Sequence, residues 1–118
     1  MARSILIADD NPLIRKMFRK MFEAEADYDL CAEACDGVEA IAFAIKHKPE
    51  LIILDMRMPN MNGLDASKEL KELMPNVPII LFTLYANEIN LEHVSADRIV
   101  SKNDPASLMS YVRQLLPV

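Results

Sequence analysis

A short apolar run that ends in a carboxylate places the strongest constraint on how this chain of 118 residues folds. Residues 51–54 read Leu-Ile-Ile-Leu, Pro49 stands just before them, and the run stops at Asp55. Such a run, bounded by turn residues, is typical of a buried strand in a parallel sheet. The proline, asparagine and glycine residues of 59–63 predict a loop after it. Asp55 is therefore expected at the carboxyl end of a central strand, where open α/β sheets place their chemistry.

A second strand predicts a cluster of carboxylates. Residues 4–8, Ser-Ile-Leu-Ile-Ala, are mostly apolar and lead directly into Asp9 and Asp10. If this strand lies parallel to the one before Asp55, three carboxylates meet at one edge of the sheet and raise one another's pKa by repulsion. A cluster of this kind requires a cation, and ligands that are all oxygen suit Mg²⁺.

The remaining pattern predicts five β-α units in one domain that spans residues 1–118. Strands are expected at 4–8, 28–34, 51–54, 78–82 and 97–101, and helices after Asn11, after Asp36, around 66–74, at 86–93 and from Pro105 with Asp104 as its cap. Strands that alternate with helices imply a parallel sheet with helices on both faces. The predicted fold is α/β, flavodoxin-like and doubly wound, with strand order 2-1-3-4-5 and a crevice between strands one and three.

The first helix carries an apolar stripe that is wider than a core-facing stripe needs to be. Its members are Leu13, Ile14, Met17, Phe18, Met21 and Phe22. They cover about 180° of the helix, whereas a core-facing stripe needs about 100°. Two interpretations stay open: one edge is exposed for a partner, or the helix is buried on two sides.

Composition excludes several classes of function. A formal net charge of −5 disfavours binding to nucleic acid or to an anionic membrane. No apolar stretch approaches the ~18 residues of a membrane span. The first residues lack a signal-peptide pattern, so a cytoplasmic location is expected, with Cys31 and Cys35 as reduced thiols rather than a zinc pair. Two glycines are too few for a G-x-G-x-x-G motif or a P-loop, which disfavours nucleotide binding.

Polar side chains end two further strands, at Thr83 and Lys102. Either residue alone would be unremarkable beside a turn. Together with the carboxylates they form a set suited to phosphoryl transfer to an aspartate. One carboxylate acts as a nucleophile, while a hydroxyl and an ammonium group stabilise an oxyanion.

These residues carry a resemblance to a known family. Asp9-Asp10, the run 54–64 (Leu-Asp-Met-Arg-Met-Pro-Asn-Met-Asn-Gly-Leu), Thr83 and Lys102 stand in the order and spacing of the receiver domain of two-component response regulators. The resemblance covers essentially the whole chain. It implies a cytoplasmic signalling domain that catalyses only its own phosphorylation and slow dephosphorylation, rather than an enzyme with an external substrate.

The resemblance also implies a role for each site residue. Asp55 accepts a phosphoryl group from the phosphohistidine of a histidine kinase or a histidine phosphotransfer protein. Mg²⁺ is held by the side chains of Asp10 and Asp55, by the backbone carbonyl of Arg57, and through water by Asp9. Thr83 and Lys102 contact the phosphoryl oxygens, so that Asp55, Thr83 and Lys102 form the catalytic set.

Phosphorylation is then expected to switch the surface formed by the predicted fourth helix, fifth strand and fifth helix. The resemblance is compatible with a homodimer that forms on phosphorylation. It is also compatible with a DNA-binding output domain outside this chain and a role in transcription regulation.

Three positions depart from the family pattern. Ile99 replaces the aromatic residue usual three positions before the lysine, Leu84 follows the threonine where small residues are usual, and Asn103 replaces a proline. A trans bond before Asn103 is predicted, because a cis bond before a residue other than proline costs ~2.5–4 kcal/mol.

Two alternatives to a phosphorylated receiver fit the sequence less well. One is a receiver-like interaction module that phosphate does not regulate, which the intact acidic set disfavours. The other is an aspartate-nucleophile phosphatase, which is disfavoured because Arg57 stands where such an enzyme would carry its second aspartate.

Arg57 and Tyr85 stand two residues after Asp55 and Thr83, respectively. In receivers the side chains at these positions modulate the lifetime of the phosphorylated state. Neither residue is well suited to orient an attacking water, so we expect them to block its approach and to give a long-lived acyl phosphate.

Overall fold

Five parallel strands form the central sheet in the computed structural model, which describes residues 2–118. The strands are β1 (Arg3–Ala8), β2 (Tyr28–Ala34), β3 (Leu51–Leu54), β4 (Ile79–Thr83) and β5 (Arg98–Ser101). The helices are α1 (Pro12–Glu23), α2 (Gly37–His47), α3 (Gly63–Leu73) and α4 (Ala106–Leu115). The strand order is β2-β1-β3-β4-β5, which confirms the predicted doubly wound topology.

Strand β3 is apolar throughout because helices cover both of its faces. Successive side chains of a strand point to opposite faces of the sheet. Leu51 and Ile53 pack in the cluster beneath α1 and α4, and Ile52 and Leu54 pack in the cluster beneath α2 and α3. The buried helical side chains are Phe18, Phe22, Leu108 and Val112 on the first face and Ala40, Ala44, Ala66 and Leu70 on the second.

The first two helices begin at the residues that the sequence predicts. The side chain of Asn11 accepts a hydrogen bond from the backbone N–H of Leu13 at 2.9 Å, and that of Asp36 accepts one from Glu39 at 2.8 Å. These bonds satisfy N–H groups that have no partner within the helix. At the start of α1, Leu13 is 72% exposed, so one edge of the wide apolar stripe faces solvent.

The prediction of a helix at 86–93 is wrong. This segment forms two 3₁₀ turns, Ala86–Glu88 and Leu91–His93, which are separated by an extended Ile89. The side chain of Asn90 accepts a hydrogen bond from the N–H of Glu92 at 3.0 Å and so starts a second turn instead of continuing the first. The chain from residue 2 to 118 therefore contains four α-helices rather than five.

The start of α4 also differs from the prediction. Pro105 occupies the cap position, and the cap makes no side-chain hydrogen bond. Asp104 contributes its backbone carbonyl instead, which accepts hydrogen bonds from the N–H and the hydroxyl of Ser107 at 3.3 and 3.0 Å. The Lys102–Asn103 bond is trans, as predicted, because the described residues contain no cis peptide. No helix among them is long and apolar enough to cross a membrane.

Candidate functional site

The parallel register brings three carboxylates together at the carboxyl edge of the sheet. Ala8 of β1 pairs with Leu54 of β3, so the residues after them are neighbours. Asp9, Asp10 and Asp55 each offer a carboxylate oxygen, and these oxygens lie within 4.8 Å of one another. Asp9 and Asp55 are buried, at 1% and 8% exposure, whereas Asp10 is exposed. The cluster is therefore open to solvent on the side of Asp10.

Lys102 reaches into this cluster from the end of β5. Its Nζ lies 2.6 Å from Oδ2 of Asp9 and 3.3 Å from Oδ2 of Asp55, and its side chain is only 11% exposed. The backbone N–H of Lys102 donates to the carbonyl of Thr83 at 2.9 Å, which fixes where the side chain starts. Three carboxylates and one ammonium group leave two negative charges uncompensated, which is the charge that a divalent cation neutralises.

The surroundings of Asp55 act on its ionisation in opposite directions. The pKa of Asp55 is raised above its usual value, first because burial disfavours the charged form and second because Asp9 repels it. Lys102 and the backbone N–H of Met56, which donates to Oδ1 of Asp55 at 2.8 Å, oppose the rise. A cation bound beside Asp55 would favour the carboxylate form that a nucleophile needs.

Thr83 is the last residue of β4, which pairs with β3 on the side opposite β1. The residue is fully buried, and its Oγ1 accepts a hydrogen bond from the N–H of Tyr85 at 3.1 Å. A hydroxyl has one proton to donate besides the lone pairs that accept. That proton takes no part in the bond from Tyr85, so Thr83 retains a donor for an oxyanion at this edge. Leu84, which follows it, is 60% exposed.

The loop between β3 and α3 is held close to Asp55 by two contacts of its own. The N–H of Gly63 donates to the carbonyl of Met56 at 2.8 Å, and a Cβ on Gly63 would lie 2.0 Å from the carbonyl oxygen of Asp55. Only glycine, which has no Cβ, lets the backbone of this loop come so close to Asp55. Asn60 adopts a left-handed conformation with φ of 66°, which asparagine tolerates better than most residues.

The same loop is tied to the start of α2. The side-chain N–H of Asn60 donates to Oδ2 of Asp36 at 2.7 Å, and the N–H of Gly37 donates to the carbonyl of Met61 at 3.0 Å. Asp36 therefore caps α2 with one oxygen and holds the loop with the other. Sequence reasoning identified Asp36 only as a cap, and the left-handed Asn60 that brings the two together leaves no clear signal in the sequence.

Arg57 and Tyr85 stack on each other. The guanidinium carbon of Arg57 lies 4.0 Å from the centre of the Tyr85 ring, which is a cation–π contact between the loops that follow β3 and β4. Arg57 is exposed and Tyr85 is half-buried.

A further arginine, Arg15, was not singled out from the sequence. Its guanidinium donates to the backbone carbonyl of Asp9 at 2.8 Å.

Comparison with known proteins identifies the family. The sequence profile of the response regulator receiver domain matches residues 5–113. The chain belongs to this family. It is a receiver domain of the two-component signalling systems, and the strand-end residues described above are those that carried the resemblance.

Relatives of this receiver include transcriptional regulators. It is 37% identical over 84 residues to the uncharacterized transcriptional regulatory protein YxjL of Bacillus subtilis, a match that covers 71% of this chain and 38% of YxjL. It is 35% identical over 105 residues to the oxygen regulatory protein NreC of Staphylococcus epidermidis, which covers 86% of this chain and 48% of NreC. The chain thus spans less than half the length of either relative.

A solved structure matches over nearly the whole length of both chains. The response regulator TrrA of Thermotoga maritima superposes with a TM-score of 0.86 at 32% identity, over 97% of this receiver and 99% of TrrA. TrrA was crystallised in complex with Mg²⁺-BeF.

Proposed function

We propose that this receiver accepts a phosphoryl group on Asp55 from a phosphohistidine of a histidine kinase or a histidine phosphotransfer protein, with Mg²⁺ as cofactor. One observation carries the proposal: Asp55 lies at the end of the central strand, beside two further carboxylates and within 3.3 Å of the Lys102 ammonium. A carboxylate with cations beside it is suited to receive a group that brings more negative charge.

The donor set fits Mg²⁺. Asp9, Asp10 and Asp55 supply oxygen ligands only, and their spacing within 4.8 Å suits an ion whose opposite ligands in an octahedron stand about 4 Å apart. In the proposal Asp10, Asp55 and the backbone carbonyl of Arg57 would hold the ion directly, and Asp9 would hold it through water. When bound, Mg²⁺ supplies positive charge that offsets the charge on the phosphoryl oxygens.

The side chains of the chain have distinct roles in the transfer. An oxygen of Asp55 attacks the phosphorus, the phosphorus–nitrogen bond of the phosphohistidine breaks, and its electron pair remains on the imidazole. The product is an acyl phosphate on Asp55. Lys102 places an ammonium group against one phosphoryl oxygen, and Thr83 donates its hydroxyl proton to another.

The place of this receiver in a larger protein is also a proposal. YxjL and NreC are each more than twice as long as the part this chain matches. We therefore expect residues 1–118 to act in the cytoplasm as the receiver of a longer transcriptional regulator with a DNA-binding output domain. Phosphorylation is expected to change the surface formed by residues 84–97, β5 and α4, and a homodimer would form through such a surface.

The test is the mass of the intact protein after incubation with acetyl phosphate or phosphoramidate and Mg²⁺. One labile phosphoryl group should be added to the parent. None should be added to Asp55→Asn, because an amide is a far poorer nucleophile than a carboxylate. Labelling that persists in Asp55→Asn would reject Asp55 as the acceptor. An unlabelled parent would favour the interaction module that phosphate does not regulate.

A further inference from the structure

We infer that Arg15 is a positioning residue for the Mg²⁺ site, an inference that rests on the proposed function. Arg15 lies in α1 and makes no contact with a carboxylate of the cluster. Its guanidinium donates instead to the backbone carbonyl of Asp9 at 2.8 Å. That carbonyl belongs to the peptide that joins Asp9 to Asp10, the two residues after β1 that are proposed to hold the ion.

The hydrogen bond fixes the direction in which the chain enters Asp10. A peptide group is planar, so holding its oxygen also sets the Cα of the next residue. The N–H of Asp9 is already fixed by the carbonyl of Ala34 in β2 at 3.0 Å. Among residues 2–118, the exposed carboxylate of Asp10 makes no hydrogen bond or ion pair that would hold it. Its place therefore depends on the backbone that Arg15 holds.

Arg15 is itself held on the side away from the site. Its Nε lies 3.8 Å from Oε1 of Glu33 on β2, and its side chain is 18% exposed. Arg19 contacts the same carboxylate oxygen at 2.5 Å, but its side chain is 47% exposed. Both arginines thus share Glu33, and only Arg15 continues to the carbonyl of Asp9.

The position of Arg15 is not explained by the stability of α1. It is the fourth residue of a helix whose first turn contains no acidic residue. A cation near the amino end of a helix opposes the helix dipole and gains nothing from it. The contacts to Asp9 and Glu33 provide a reason for an arginine at this place.

The charge of Arg15 and its positioning role have opposite effects on Mg²⁺ binding, so a test can distinguish them. A cation close to a Mg²⁺ site repels the ion, so simple loss of the charge would strengthen Mg²⁺ binding. Loss of the positioning bond would weaken it, because Asp10 would no longer be preorganised. Removal of a residue that orients a metal ligand typically weakens binding about 10- to 100-fold.

The experiment measures the Kd for Mg²⁺ by calorimetric titration of the parent, Arg15→Ala, Arg15→Lys and Arg19→Ala. The expected Kd is about tenfold higher in Arg15→Ala. It should also be higher in Arg15→Lys, which keeps the charge but lacks the planar fork that reaches two acceptors. Arg19→Ala is the matched control, because it removes a positively charged partner of Glu33 but no contact to Asp9. Its Kd for Mg²⁺ should stay near the parent value.

The Kd values of the variants distinguish a positioning role of Arg15 from a purely structural one. Binding in Arg15→Ala that equals or exceeds that of the parent overturns the inference, and so does equal weakening in Arg19→Ala. A purely structural role would lower the melting temperature without Mg²⁺ and leave the Kd unchanged. If Arg15→Ala does not fold, a parental Kd in Arg15→Lys overturns the inference. A parent that binds no Mg²⁺ overturns the proposed function and the inference with it.

Discussion

Arg57 and Tyr85 each stand two residues after a residue of the proposed phosphorylation site, and their side chains contact each other. The two side chains come from the loops that follow β3 and β4, and they stack with the guanidinium carbon 4.0 Å from the ring centre. Cation–π contacts at exposed sites contribute about 0.5–1 kcal/mol. That is enough to keep the pair together most of the time. Our hypothesis is that the stacked pair blocks the path of water toward the phosphorus.

Breaking this pair should shorten the lifetime of the acyl phosphate. Arg57→Asn and Tyr85→Glu introduce side chains that can orient water. The double variant is expected to lose phosphate about tenfold faster, which is less than the ~10²–10⁴-fold effect of a fully positioned acid or base. Phosphate release is followed at saturating Mg²⁺ without a phosphatase.

A second arginine–tyrosine contact in the same chain provides the control for this experiment. The guanidinium carbon of Arg98 lies 6.0 Å from the centre of the Tyr111 ring. This contact lies away from Asp55. Arg98→Asn should leave the lifetime unchanged. If the double variant at Arg57 and Tyr85 loses phosphate no faster than the parent, the stacked pair does not set the lifetime.

At the scale of secondary structure, the elements with a strong apolar pattern were predictable. Strand β3, for example, has four apolar residues that are all buried, and both of its boundaries follow from the residues beside it. Residues 86–93 have no apolar stripe and contain two asparagines, which form helices poorly. There the local preference of Asn90 for a new turn decided the structure.

The site, like the secondary structure, was predictable only in part. Its strand-end residues could be located because parallel strands end at a common edge. The contact from Arg15 to Asp9 and that from Asn60 to Asp36 could not be located, since each depends on how a helix or loop packs in three dimensions.

Helix α2 and the loop after β3 are coupled through Asp36. The pKa of Asp36 is lowered, mainly because its carboxylate accepts the N–H of Glu39 and in addition the side-chain N–H of Asn60. A lowered native pKa means that the carboxylate stabilises the fold above its unfolded pKa. This contribution is lost as the pH falls through the native pKa.

Asp36→Ala should therefore lower the free energy of unfolding by about 1 kcal/mol at neutral pH, the usual cost of removing a cap. The difference between parent and Asp36→Asn should narrow as the pH falls below about 4, the usual range of an aspartate. Urea unfolding across this range measures both. Asn62→Ala, which removes the uncharged cap of α3, should show a deficit that does not change with pH. A constant gap between parent and Asp36→Asn would contradict the assignment.

At the scale of the whole molecule, the acidic edge costs stability that a bound cation would restore. The raised pKa of Asp55 means that the native state holds a proton more tightly than the unfolded chain does. Without metal, stability is therefore lost as the pH rises from the unfolded to the native pKa of Asp55. Neutralisation of the cluster by a cation would oppose this loss.

Millimolar Mg²⁺ should raise the melting temperature of the parent at neutral pH, because it binds the folded state and not the unfolded chain. The rise should shrink in acid, where protons occupy the same carboxylates. Asp10→Ala should abolish it and should melt at or above the parental temperature without metal, since one repelling charge is gone. Differential scanning calorimetry at several pH values measures the effect. An Asp10→Ala variant that responds to Mg²⁺ like the parent would exclude Asp10 from the site.

The segment between β4 and β5 contains two separate 3₁₀ turns rather than one continuous helix. Four backbone hydrogen bonds of 2.9 to 3.5 Å within residues 85–94 hold the turns, whereas β4 is buried throughout. Amide hydrogens of 85–94 are therefore expected to exchange with solvent through local opening, and those of β4 only through global unfolding. The segment begins two residues after Thr83 and lines a groove with Ile99 and Tyr111. A rearrangement that starts at Thr83 can thus reach this groove while the sheet stays protected.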